Sequence, residues 1–287
     1  MVNTTMISPS DLNRQRWDQA TDIHARGNVY GIEGFKAGEC QLHRVEVEEL
    51  GDVRGKSLLH LQCHFGIDTL SWARRGANVT GIDFSIKGID LARKLARETN
   101  IDARFIESNI YALPEKLSEQ FDIVFTSYGV LCWLVDIKAW GKIVAQYLKP
   151  GGTFYIAEAH PFARVFPMDE DIKDGSTELR PYFNYFHDPA GLYWPPSADY
   201  ADQTAMLTVG EHCWQHSTSD IVNALIDAGL RIEFMHEFPY CPWKVTAFCE
   251  AVEQLSPSPT YYGLPKRFPP LPLMFSIKAS SAGSSTD

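Results

Sequence analysis

The stretch SLLHLQCHFG IDTLSWARRGA NVTGIDFS, Ser57 to Ser85, decides the fold. Its first part, Ser57–Gln62, is an apolar run of strand length that ends at a turn. Ile67–Arg75 follows as a short helical segment with Leu70 and Ala73 on one face, and Asn78–Ile82 is a second strand that stops on Asp83. Strand, sharp turn, helix, strand, carboxylate is the first βαβ unit of a nucleotide-binding sheet. The 17 residues from Gly66 to Asp83 are what one helix and one strand require. A carboxylate at the tip of the second strand can accept both hydroxyl hydrogens of a ribose, and the turn brings backbone N–H groups to the ligand.

Outward from this unit the chain keeps alternating. Before it, Ser10–Asp11 cap a predicted helix running to about Ala25, with Trp17 and Ile23 as apolar contacts, and Gly34–Leu50 reads as a helix pair burying Leu42, Val45, Val47 and Leu50. After it come a helix over Ser85–Thr99 with Ser85 as N-cap, strands at Ala103–Glu107 and Phe121–Thr126, and a helix over Ile137–Leu148 that stops at the turn LKPGG. A fifth strand, Thr153–Ala159, delivers Glu158 and His160 to its C-terminal end. Between His160 and His216 aromatics and prolines crowd without helical period, which predicts a short antiparallel cap with strands near 179–187 and 205–213. Ser217–Asp220 then open a helix ending at Ala228–Gly229, Leu230–Phe238 is a sixth strand, PYCPWK begins a second insertion, and Leu273–Lys278 is a seventh, antiparallel strand. The expected fold class is α/β, Rossmann-like, a seven-stranded mostly parallel sheet with an antiparallel last strand. Its expected divisions are an N-terminal helical segment (1–54), a core (55–160), an acceptor-side cap (161–215), completion of the sheet (216–280) and a disordered tail (281–287).

Composition narrows the function. The chain has 287 residues, 45% hydrophobic and 12% aromatic, enough for a sizeable core. A net charge of −10 disfavours nucleic acid as partner, since phosphate binding wants a basic field. It leaves room for a small acidic substrate, for which Arg164, Arg180 or Lys244 would supply local positive charge. No signal peptide and no membrane-length apolar run is seen. The six cysteines form no CxxC pair, which points to reduced thiols and a cytoplasmic location. The oligomeric state stays open, a homodimer included.

LLHLQCHFG followed by GIDFS resembles motif I and its sequel in the class I S-adenosylmethionine (SAM)-dependent methyltransferases. The likeness covers about Gly55 to Ala159 and implies SAM as cofactor. The chain departs from the family's acid-x-Gly-x-Gly-x-Gly pattern: His60 stands at the acid, Gln62 and His64 at two glycines, and Gly66 alone remains. Missing glycines argue against a nicotinamide dehydrogenase, whose pyrophosphate needs close backbone approach. The resemblance implies that Gln62, Cys63, His64 and Gly66 line the cofactor turn, that Asp83 and Phe84 meet the ribose, and that Asn109 and Ile110 frame the adenine. Ser127 and Tyr128, with Trp133, would form the wall near the sulfonium, whose charge attracts aromatic faces. A helix before the core often closes over SAM in this family, a role open to Trp17. The wording LLHLQCHFG further resembles a bacterial branch in or near which C-methyltransferases of 2-oxo acids lie.

Ligands of open α/β sheets bind at the carboxyl ends of the strands. His160, His216 and His236 fall at that edge and are expected to converge as a site for Zn²⁺ or Fe, with His187 or His212 as substitutes and Glu237 as a partner for an imidazole N–H. Such a metal would chelate a 2-oxo acid and stabilise its enolate for methylation at the β-carbon. The alternatives are a metal-free O- or N-methyltransferase, with His216 or Glu158 taking the acceptor proton, and a non-catalytic SAM-binding regulator.

Overall fold

The N-terminal region folds as three helices, α1 (Pro9–His24), α2 (Ile32–Lys36) and α3 (Arg44–Leu50), in the computed structural model, which describes residues 7–27, 29–168, 171–172, 177–252 and 260–282. Helix α1 starts earlier than its sequence suggests because Ser8, not Ser10 or Asp11, is the cap: its hydroxyl accepts from Asp11 N, and Pro9 takes the first turn, where its missing N–H costs nothing.

The core then alternates as expected: β1 (Ser57–Leu61), α4 (Ile67–Arg74), β2 (Asn78–Asp83), α5 (Ile86–Glu98), β3 (Arg104–Glu107), β4 (Phe121–Thr126), α6 (Ile137–Gln146) and β5 (Leu148–Ala159). Strand β1 lies between β2 and β4 with both faces covered, and Leu58, Leu59 and Leu61 are fully buried. That burial is why its sequence is a continuous apolar run instead of an alternating one. Ser85 caps α5 by accepting from Gly88 N, and Ile89, Ala92, Leu95 and Ala96 face the sheet. Strand β5 begins at Leu148 and carries KPGG inside it, five residues before the expected start. Ser281 holds that segment in the sheet by accepting from Gly152 N and donating to Lys149 O.

A ribbon of β6 (Leu192–Trp194) and β7 (Glu211–Cys213) belongs to the cap. The cap strand expected at 179–187 does not form: alternating aromatics there, with Tyr182 and Phe186 exposed, find no partner strand. Helix α7 (Thr218–Asp227) is capped by Ser217 and Asp220 reciprocally. Strand β8 (Arg231–Phe238) follows, then a small sheet of β9 (Tyr240–Cys241), β10 (Glu250–Ala251) and β11 (Tyr262–Gly263), and finally β12 (Met274–Ser280). The main sheet has the order β3-β2-β1-β4-β5-β12-β8, with β12 antiparallel to both neighbours. Chain order reverses between β1 and β4, which places the ligand crevice at their C-terminal ends.

Helix α1 lies across that edge and ties the core to the cap. Asn13 exchanges hydrogen bonds with His212 N and O, both 2.8 Å. Arg16 donates to Val209 O and Ser197 Oγ and pairs with Glu211. On the core side Asp18 accepts from Ser85 Oγ at 2.7 Å and Lys87 N at 3.2 Å. No helix among the described residues is long and apolar enough to cross a membrane. The end of the expected disordered tail, 283–287, lies outside the described residues.

Candidate functional site

The turn after β1 is built from left-handed backbone. Gln62, His64 and Gly66 have φ of 56°, 51° and 75°, so the two positions where the motif departs from glycine still adopt a glycine-like conformation. Gly66 is irreplaceable by space as well: a Cβ there would lie 2.6 Å from the Phe105 ring. Asp83 at the end of β2 organises the turn, one oxygen accepting from His64 N at 2.8 Å and the other from Ser85 N at 2.9 Å. Burial raises its carboxyl to about 7 against these hydrogen bonds. Phe84 stands half-buried beside it, and Cys63 is buried with its thiol pushed up by burial.

Gln62 Oε1 and His64 Nδ1 are buried with no hydrogen-bond partner. Unpaired buried polar atoms are costly, and two at one turn fit a polar ligand such as SAM. Asn109 sits over β3, but its amide is engaged: Oδ1 caps Tyr111 N and Nδ2 donates to Ser10 of α1. Ile110 is buried in the main core at the start of the turn that Asn109 caps.

At the wall after β4, His60 bridges Thr69 and Ser127 at 2.8 and 2.9 Å, and burial drives it to about 3, so it stays a neutral tie between β1, α4 and β4. Tyr128 turns toward α3, where its hydroxyl donates to Glu46 at 2.6 Å and its ring meets Trp243 edge-on. Trp133 faces the edge and meets Trp17 of α1 edge-on, with ring centroids 5.4 Å apart. Trp17 in turn packs on His64 at 5.0 Å, which sets α1 against the turn.

His24 and Asp199, for which no role is read from local sequence, complete a buried chain with His64. Asp199 of the cap accepts from His24 Nε2 at 3.2 Å, and His24 Nδ1 lies 2.9 Å from His64 Nε2. With the His24 proton on Nε2, facing the carboxylate, Nδ1 accepts from His64, and the free lone pair falls on His64 Nδ1. Burial and the neighbouring His24 hold His64 well below the usual imidazole range. Tyr30 and Tyr200, hydrogen-bonded to each other, flank His24 at 4.8 and 4.9 Å. Residues this far apart in sequence carry no spacing signal; the substitution of His for glycine at position 64 was the one available hint.

The three histidines expected to share a metal are not brought together. His160 pairs with Glu237 at 2.8 Å. His216 donates from Nε2 to Leu134 O at 2.7 Å and stacks on His187. His236 is exposed and bonds Glu49 of α3 at 2.7 Å. Side chains alternate along a strand, so His236 and Glu237 of β8 point to opposite faces, and a metal at one cannot reach the other. Among the described residues no group of three or more His, Cys, Asp or Glu is placed to hold a metal ion. Glu158 is equally committed: its two oxygens accept from the backbone N–H groups of Gly129, Val130, Leu131 and Ala159 at 2.7–3.2 Å. It clamps the loop after β4 and has no lone pair aimed at an acceptor proton.

Residues 58–152 match the family model described as "Methyltransferase domain". The ubiquinone biosynthesis O-methyltransferase of Photorhabdus laumondii is 30% identical over 161 residues, 53% of this chain and 64% of the relative. That of Salmonella arizonae is 31% identical over 123 residues, 40% of this chain and 50% of the relative. The chain thus spans between half and two thirds of the length of these curated relatives, which are O-methyltransferases. A SAM-dependent methyltransferase of Mesorhizobium loti shares the fold at TM-score 0.54 and 23% identity, over 85% of this chain and 99% of that one. A Listeria monocytogenes protein assigned to the same class does so at 0.55 and 20%, over 82% and 97%. Residues 58–152 thus match a methyltransferase domain in sequence, and the chain shares the fold of solved SAM-dependent methyltransferases.

Proposed function

We propose that the chain methylates an oxygen atom of a small molecule, with SAM as donor and without a metal. The observation that carries this reading is the left-handed turn 62–66, pinned to Asp83 and holding the unpaired atoms Gln62 Oε1 and His64 Nδ1 at the switch point of the sheet. Asp83 would receive the ribose hydroxyls, and Gln62 with the turn backbone the polar end of the methionine part. When bound, SAM supplies an electrophilic methyl group on a sulfonium. The chain's own task is to hold the acceptor in line and to remove its proton. His64 Nδ1 takes that proton, and the charge formed is shared through His24 and stabilised by Asp199, as a buried carboxylate steadies an imidazolium in other base chains. An imidazole held this low is a weak base, which suits acidic hydroxyls such as phenols or enols better than amines.

Calorimetric titration with SAM, followed by detection of S-adenosylhomocysteine over a panel of phenols and enol acids, tests the reading. Saturable SAM binding and product formed only with an acceptor are expected. SAM binding with no turnover on any hydroxyl acceptor hands the protein to the regulator reading, and no SAM binding overturns the site itself.

A further inference from the structure

Two cysteines from distant parts of the chain meet where the cap rests on the sheet edge. Cys132 lies in the short helical turn Leu131–Trp133 after β4, and Cys213 ends β7 of the cap. The backbone fixes the two segments side by side, Trp214 N donating to Cys132 O at 2.8 Å. Their thiols hydrogen-bond each other, and the Arg164 guanidinium donates to the Cys132 sulfur, with Cys213 and Glu158 beside it. Two thiols held in contact next to a cation are arranged for oxidation as a pair.

The two sulfurs are chemically unlike. The Cys213 S–H and the Arg164 charge hold the Cys132 thiol below its ordinary range, against burial and the carboxylates of Glu158 and Glu211. Donating to Cys132, together with burial, pushes Cys213 well above that range. Cys132 is therefore the sulfur that attacks an oxidant, and Cys213 the one that closes the bridge. Cys241 and Cys249, near neighbours under β12, are both pushed up by burial and have no such division. Cys132 and Arg164 also line a cavity of about 20 Å³ with Trp214 and Gln215, room for one water-sized molecule. Hydrogen peroxide is scarcely larger than water, while glutathione disulfide is far too large to enter.

We infer that Cys132 and Cys213 form a reversible, peroxide-driven disulfide that fastens the cap to the sheet edge. The Cys132 sulfur attacks one peroxide oxygen; an S–O bond forms, the O–O bond breaks, and the departing hydroxide takes the Cys132 proton and leaves as water. Cys213 then attacks the sulfenic sulfur; the S–S bond forms, the S–O bond breaks, and the hydroxyl leaves with the Cys213 proton as a second water. The sulfurs give up two electrons and the peroxide takes them. Asn13 of α1 bonds His212, next to Cys213, so the bridge also steadies the strand to which α1 is tied. The bridge does not depend on the methyl-transfer reading.

Full-length protein carrying Cys40→Ser, which removes the one exposed cysteine, is treated with hydrogen peroxide or with glutathione disulfide, and its non-reduced peptides are mapped by mass spectrometry. Peroxide should remove two hydrogens and join the Cys132 and Cys213 peptides, and dithiothreitol should restore the starting mass. Glutathione disulfide should react at least tenfold more slowly. In Cys213→Ser, or Cys213→Ala should that variant not fold, the sulfenic acid should persist at Cys132 and be trapped by dimedone. Amide exchange of β6 and β7 should slow in the oxidised protein. Cys132 and Cys213 left free by peroxide, a bridge between Cys241 and Cys249 instead, no dimedone adduct at Cys132, or unchanged exchange of β6 and β7 would overturn the fastening. Glutathione disulfide as fast as peroxide would overturn entry through the cavity.

Discussion

Gln62 and His64 sit in a backbone conformation that costs a side chain roughly 1 kcal/mol each over glycine. Such strain persists where the side chains are used. His64→Gly should leave folding stability within about 1 kcal/mol, because relief of strain offsets lost contacts. SAM affinity should change little, and turnover should fall by two orders of magnitude or more, the usual scale of a lost general base. Asp199→Asn should lower turnover in the same assay without moving SAM affinity; wild-type turnover in that variant would dismiss the relay. Asp83→Ala should weaken SAM by about 1–3 kcal/mol through lost hydrogen bonds, read by calorimetry on the folded variant. Unchanged affinity would mean that the ribose lies elsewhere.

Helix α1 is the element on which access depends. Asp83 and Ser127 are 7% and 8% exposed, and Trp17 covers His64. A ligand the size of SAM reaches these groups only if α1 lifts. Polar bonds tie it to the rest of the protein, Asn13 and Arg16 to the cap and Asp18 to the start of α5, and its apolar contact is a small cluster of Trp17, Ala20 and Ile23 with Ala205 and Leu207. Polar contacts of this kind are individually worth little and open locally before the sheet does. Amides of Pro9–His24 should therefore exchange with solvent much faster than those of β1 and β4, and SAM should slow them. Equal protection of helix and sheet would exclude the lifting motion.

At the scale of the whole molecule, the burial of ionisable groups sets how stability depends on pH. Burial raises Glu46 to about 8 and Asp83 to about 7. Unfolded, both would ionise near 4, so between about pH 4 and 8 unfolding releases their protons and stability falls as pH rises. His60 at about 3 and His43 at about 4 act the other way: the unfolded chain takes up their protons below about 6.5, and stability falls as pH drops through that range. Glu46→Gln should thus flatten the loss of Tm between pH 6 and 8 in thermal melts. A slope equal to the wild type's would show that Glu46 is ionised in the folded protein.

Local sequence was enough for the core. The apolar run at 58–61, the Ser85 cap, the period of α5 and the carboxylate at 83 each encode short-range physics: burial on two faces, a side chain closing a helix end, one stripe of contacts. Those rules hold without knowing the rest of the chain, and the βαβ order and the cofactor edge follow from them. Pairing between distant segments was beyond them. Three histidines at one edge looked like a metal site because strand ends can be located from sequence, while the face each ring takes and the partner it finds cannot. The chain Asp199–His24–His64 comes from three separate regions, and only the packing of α1 and the cap against the sheet brings it to the edge, where burial gives it its chemistry.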